Sequence, residues 1–186
     1  MNLDHVIYNR KSVRSFIGSV SWKKIMQAID AAIQIPTTGN HNHLRFLIIE
    51  DRQTIIKIAS LANQLWINTA GAIIIVLSDD TFLEKMYGDR GRIYSRQQAG
   101  AAIQTLLLKL TDLNIASCWV GAYDDHLLRL LLKIPQHVQI EALVPLGNER
   151  GHHKPSKKLS LEAALYWERW GNRKKPQLFK EPPERD

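Results

Sequence analysis

Cysteine is almost missing. One residue of 186, Cys118, carries a thiol, which excludes an intramolecular disulfide and a Cys-based zinc site and fits a reducing compartment, the cytoplasm. Long apolar runs are also lacking. None reaches the roughly 18 residues needed to span a bilayer, and the opening Met1-Asn2-Leu3-Asp4-His5 has neither the charged start nor the apolar stretch of a leader. Membrane insertion and secretion are therefore not expected. The histidine clusters His41-Asn42-His43 and His152-His153 have no nearby Asp, Glu or Cys to complete a ligand set, which argues against metal chemistry and for solvated side chains. Acidic residues are the scarcer charge: 25 Lys and Arg stand against 18 Asp and Glu, a net charge of +7. That balance invites an anionic partner. Much of it lies late, in Arg150, Lys154, Lys157, Lys158 and Arg173-Lys174-Lys175, without the interleaved aromatics of a single-strand platform, which argues against nucleic acid.

What is present suits one hydrophobic core. The chain is 45% hydrophobic and 23% charged, and its length accommodates a single domain, residues 1–170, with a tail over 171–186. No internal repeat is visible. Helices are predicted over 2–9, over 21–35 with Ser21 as N-cap, after Asp51-Arg52, over 95–113, over 124–133 and over 161–170. Strands are predicted over 45–50, 72–77, 117–120 and 139–147. Ala72-Ile73-Ile74-Ile75-Val76-Leu77 is continuous and β-branched, the pattern of a central strand covered on both faces. Asn114 suits a left-handed cap after the long helix. Helices and strands interleave without a regular βαβ repeat, so an α+β fold with a mixed sheet flanked by helices fits better than a doubly wound parallel sheet. Pro176, Pro182 and Pro183 force the tail to be extended, and an extended tail carrying Leu178 and Phe179 is expected either to lie on another surface, such as a partner subunit, or simply to fray.

Three segments could carry chemistry, and each has a plain alternative. Arg10-Lys11-Ser12-Val13-Arg14 sets three cations and a hydroxyl just after a helix, where they could converge on a phosphate or form a solvated basic turn. Pro36-Thr37-Thr38-Gly39-Asn40-His41-Asn42 is dense in hydroxyl and amide groups able to bond a polar ligand edge, or simply to build a turn. Ser117-Cys118-Trp119-Val120-Gly121 ends in a glycine that would let a flat ring approach the backbone, unless it is only a turn beside a core tryptophan.

Taken in order, these segments resemble the nitroreductase family. Residues 10–16 are similar to its Arg-x-Ser-x-Arg-x-Phe signature and residues 36–42 to its Pro-Ser-x-x-Asn-x-Gln loop. Residues 100–108 resemble its central helix, and Leu113 through Gly121 its Gly-Leu-Gly-Ser-Cys-Trp-x-Gly strand. The resemblance spans about residue 5 to Trp170. It implies a mixed, mainly antiparallel central sheet flanked by helices, in a homodimer with a domain-swapped C-terminal tail and two FMN sites at the subunit interface. By residue matching, Arg10, Lys11, Ser12 and Arg14 would hold the phosphate and ribityl chain, and Lys158 resembles the late basic phosphate ligand. Thr37, Thr38 and Asn40 would reach the flavin from the neighbouring subunit, while Val120 and Gly121 would line its ring near N5. Residues from 80 to 98, including Phe82, Met86, Tyr87 and Tyr94, match no specific motif of the family and could either cover the open face or form a loop and helix packed on the core. The implied activity is two-electron transfer between NADH or NADPH and a small organic acceptor, such as a nitroaromatic or a quinone, by a ping-pong scheme. The flavin carries the chemistry, so no catalytic side chain is assigned. Three departures stand out: His43-Leu44 in place of Pro-Trp, Asn114-Ile115-Ala116 in place of a Gly-Leu-Gly-like turn, and Lys158 in place of Arg. The competing reading is a non-catalytic binder of phosphate ligands or nucleic acid that uses the same basic patches.

Overall fold

The computed structural model describes residues 2–152 and 156–176, and the chain divides into two compact units, 1–155 and 156–186. The first unit is built on β3 (Ala72–Asp79). Its β-branched run favours extended backbone, and its central position supplies partners on both edges. On one side β2 (Leu44–Ile49) pairs antiparallel with it, Ile48 opposite Ile74; on the other β5 (Val138–Glu149) does so, Val144 opposite Ile74. Two short strands, β1 (Phe16–Ile17) and β4 (Ala116–Ser117), add to β5, again antiparallel. The sheet is thus antiparallel at every strand pair, with β3 and β5 as its centre.

Side chains alternate across a strand, so β3 builds two cores at once. Ile74 and Val76 pack on one face with α2 (Trp22–Ala32) and α5 (Asp89–Asp112), through Ile25, Ala28, Ile103, Leu106 and Leu110. Ile73, Ile75 and Leu77 pack on the other with α3 (Arg52–Leu61) and α6 (Asp125–Leu132), through Ile55, Ile58 and Leu128. All four isoleucine and valine side chains from Ile73 to Val76 are fully buried. Each stabilises the fold by about 1.5–3 kcal/mol, and truncating one to alanine would cost about 2–5 kcal/mol.

Helix α1 (Leu3–Asn9) opens the chain, and α4 (Thr81–Tyr87) precedes α5. The helix predicted from residue 95 in fact begins at Asp89. Its first turns, Asp89-Arg90-Gly91-Arg92, carry no apolar stripe, yet Gly91 is buried against α4. A Cβ there would come 2.2 Å from the Leu83 carbonyl oxygen. The strand predicted over 117–120 is shorter and starts earlier, with Val120 making an isolated bridge to Leu143.

In the second unit, the helix predicted over 161–170 is only α7 (Leu161–Ala164), capped by Ser160, whose hydroxyl accepts from the Ala163 amide. The reason lies in the next residues: Trp167 N–H donates to Asn172 O over 2.7 Å, and the Asn172 side chain donates back to Trp167 O. That loop captures groups a longer helix would have needed. The histidine and lysine expected at positions 153 and 154, and the tail beyond Pro176 with Leu178, Phe179, Pro182 and Pro183, lie outside the described residues.

Candidate functional site

The site begins where α5 ends. Asn114 takes the left-handed conformation, with φ 56°, so that Ile115 N–H reaches Leu110 O and Asn114 N–H reaches Thr111 O. These are the two bonds of a Schellman cap, and they turn the chain directly into β4. Asparagine tolerates the left-handed region, so the loss of a glycine-like turn here does not disturb the geometry.

Beyond β4 the chain runs alongside β5. Cys118 N–H donates to Pro145 O, and Val120 and Leu143 exchange bonds of 2.9 and 3.0 Å. In extended chain, backbone groups of alternate residues face opposite edges. Residues 118 and 120 therefore face β5, and 117, 119 and 121 face away from it. On that outer edge lies the basic segment: Ser12 bridges Ser117 in parallel, and Val13 N–H donates to Ser117 O over 3.0 Å. Two of the three sequence-predicted segments are thus brought together.

The same alternation sorts the basic segment. Val13 is buried with Phe16 and Ala70. Lys11 shares its side, and Lys11 Nζ sits 2.8 Å from Glu149 Oε1 in a pocket with Asn9, Thr111 and Asn114. Arg10, Ser12 and Arg14 fall on the opposite side. Among the described residues neither Arg10 nor Arg14 has a carboxylate at ion-pair distance. Their effect reaches Cys118: burial pushes its thiol up, and Arg14, Ser12 and Arg10 only partly offset this. Cys118 therefore stays a thiol at neutral pH and offers no nucleophile.

At the end of this edge Gly121 faces open space, with no atom within 4 Å of where a Cβ would stand. The Val120 amide is spent on Leu143 and its side chain is buried. Among the described residues the Trp119 and Gly121 amides donate to no backbone carbonyl. Among the described residues the edge therefore presents two N–H donors not spent on backbone carbonyls beside two guanidinium groups without a carboxylate and a hydroxyl. That set suits a ligand with a flat polar ring and an anionic arm.

The third segment sits elsewhere. Thr38–Asn40 form a single 3-10 turn, with Gly39 at φ 60° and the Tyr87 hydroxyl 3.0 Å from the place of its missing Cβ. Only glycine meets both conditions easily. His41 stacks on Phe82 at 4.0 Å, and Tyr87 meets Tyr94 edge-on at 5.6 Å. Thr37 and Thr38 border a groove with Tyr94, Gln97 and Gln98. No described contact joins this set to residues 10–14 of the same chain. Lys158 belongs to the second unit, where Nζ donates to Ser156 Oγ over 3.1 Å.

The nitroreductase family's sequence profile matches residues 54–148, from α3 to β5. A protein of Archaeoglobus fulgidus that carries the name NADH dehydrogenase/NAD(P)H nitroreductase is 30% identical over 149 residues, 76% of this chain and 82% of that one. The chain belongs to the nitroreductase family. Solved structures agree on its fold. One from Parabacteroides distasonis, bearing the same name as the Archaeoglobus protein, matches with a TM-score of 0.80 over 91% of this chain and 99% of that one, at 22% identity. The NADPH:FMN oxidoreductase of Vibrio harveyi, complexed with NAD+, matches with a TM-score of 0.82 over 96% and 80% of the two chains, at 14% identity.

For a nitroreductase-family chain one feature is unforeseen by its sequence. His43, expected to be solvated, is buried at 1% exposure and bonds Ser95, which leads to Asp80, Arg96, Ser78 and Glu141. The one signal was Glu141, a lone charge inside the apolar run Ile140 to Leu146. No helix among the described residues is long and apolar enough to cross a membrane.

Proposed function

We propose that the chain is an FMN-dependent NAD(P)H oxidoreductase, acting as a homodimer on a small organic acceptor such as a nitroaromatic or a quinone. The observation that carries the reading is the shared edge of residues 10–14 and 117–121, where Arg10 and Arg14, with no carboxylate partner among the described residues, lie beside the Ser12 hydroxyl, the Trp119 and Gly121 amides and an open glycine. Family membership supports it, as do relatives named for NAD(P)H. Bound FMN would supply two-electron transfer at its ring N5.

The chain's own residues have distinct tasks. Arg10, Ser12 and Arg14 would neutralise and bond the phosphate and ribityl chain, where charge-assisted bonds are strongest. Lys11 would add positive field while held by Glu149. Lys158 would contribute a point charge without the planar fork of an arginine. Val120 would form the apolar floor near N5, with the Gly121 amide as the available donor beside it. Thr37, Thr38 and Asn40 would reach the ring from the neighbouring subunit, consistent with their separation from residues 10–14 within one chain. The segment carrying Phe82, Met86, Tyr87 and Tyr94 would border the open face, and the tail from residue 171 would pack on the partner.

One face left open to two substrates in turn leads to ping-pong kinetics. The test is anaerobic: the purified protein is yellow, its pigment has the mass of FMN, and NADH or NADPH bleaches it until an acceptor restores the colour. A colourless protein with strongly salt-dependent DNA binding would favour the non-catalytic alternative.

A further inference from the structure

The loop over 36–43 is tied into the fold by its last residue. His43 Nε2 lies 2.8 Å from Ser95 Oγ on α5, and Ser95 Oγ lies 2.5 Å from Asp80 Oδ1 at the end of β3. A serine hydroxyl has one proton. With that proton directed to Asp80, Ser95 accepts from His43, which fixes the neutral imidazole with its proton on Nε2. Nδ1 is then a bare lone pair, buried and without a partner among the described residues.

Asp80 is itself held firmly. Ser78 Oγ, 3.0 Å from Asp80 Oδ1, has its one proton between Asp80 and Glu141 of β5, Arg96 pairs with Asp80 Oδ2, and Arg96 also pairs with Glu141. His43 is thus the end of a buried chain anchored in β3, β5 and α5. Its carbonyl is anchored too, accepting from Asp79 N–H over 3.1 Å. Two residues back, His41 stacks on Phe82 of α4, and Tyr87 lies over Gly39. The loop and the 80–98 segment therefore share two clasps, one aromatic and one polar.

We propose that His43 is a positioning residue: through Ser95 and Asp80 it sets the loop carrying Thr37, Thr38 and Asn40, and locks that loop to the 80–98 segment so that both move as one body. Protonating the charge-free His43 would bury an imidazolium, and that burial, with the His41 ring of its own loop and Arg96 of α5 adding to it, outweighs the help of Asp80 after β3 and of the His41 backbone. The clasp therefore weakens with acid. The part of the proposal that concerns cofactor affinity rests on the FMN reading above; the part that concerns loop order does not.

The test uses the full chain with His43→Gln, His43→Leu and Ser95→Ala. Glutamine can place an amide N–H where Nε2 stood and does not titrate, whereas leucine has no donor. Amide hydrogen exchange of the 37–44 peptide is measured with and without FMN, beside FMN affinity by fluorescence quenching at neutral and mildly acidic pH. H43L and S95A should exchange that peptide about tenfold faster and bind FMN about tenfold more weakly, the size expected for one buried hydrogen bond. H43Q should restore both and lose the acid sensitivity of the wild type. Wild-type exchange in S95A, or an H43Q as impaired as H43L, would overturn the proposal. Should H43L fail to fold, S95A against H43Q decides alone. Should the wild type bind no FMN, the functional reading fails while the exchange comparison still decides this one.

Discussion

The Val13 amide donates to the Ser117 carbonyl over 3.0 Å, and this bond, with the adjoining Ser12 bridge, sets the basic segment against the outer edge of the strand that leads to Gly121. It also sorts side chains by parity. Arg10, Ser12 and Arg14 take the side proposed to face the ligand, while Lys11 turns to Glu149.

That division predicts unequal losses. Arg14→Gln and Arg10→Gln should each weaken FMN binding about 10- to 100-fold, the worth of a hydrogen bond to a charged group. Lys11→Gln should lose less, because its ammonium is already engaged by a carboxylate. Flavin fluorescence titrations at one ionic strength measure all three.

Gly121 predicts a separation of folding from binding. The open space beside it can take a side chain, and its φ is not in the left-handed region, so Gly121→Val should leave the melting temperature of the cofactor-free protein nearly unchanged. The same side chain would stand where the ring should approach. Flavin affinity is expected to fall by at least about tenfold, the effect of a steric block costing ~1.4 kcal/mol or more.

Gly91 predicts the reverse. A Cβ would meet the backbone of Leu83 and Glu84 within 2.7 Å, and backbone cannot rotate away. Gly91→Ala should destabilise the fold by about 1–3 kcal/mol, as overpacking does. Urea denaturation should show a lower midpoint with an unchanged slope.

His43 predicts a pH dependence with a definite sign. Burial, only partly offset by Asp80, lowers its pKa below the ordinary 6.5. The unfolded chain therefore takes up the proton first as pH falls. The stability linked to this group is complete above 6.5 and is lost as pH falls through that value toward the lower folded pKa, with a slope of at most about 1.4 kcal/mol per pH unit. His43→Gln should flatten the stability profile in that window. Equal slopes for the two proteins would contradict the assignment.

Much of this was legible in one dimension. The run Ala72 to Leu77 announced a central buried strand, and the Ala99, Ile103, Leu106, Leu110 stripe announced the helix packed on it. Asn114 was readable as a left-handed cap because asparagine tolerates that geometry. The start of α5 was hidden because Gly91 is chosen for contact with backbone, which leaves no periodic trace. The His43 chain was hidden for a different reason: its members come from a loop, two strands and a helix, and each looks like an ordinary polar residue until folding brings them together. Lys11 had the right charge for a phosphate, and only its parity along the extended segment separates it from Arg10 and Arg14.

The most direct test is the stoichiometry of flavin uptake read together with molecular mass. Titration of the cofactor-free protein with FMN, followed by sedimentation, should give one FMN per chain in a species of two chains. A folded, monomeric protein that takes up no FMN at saturating concentration would contradict the account.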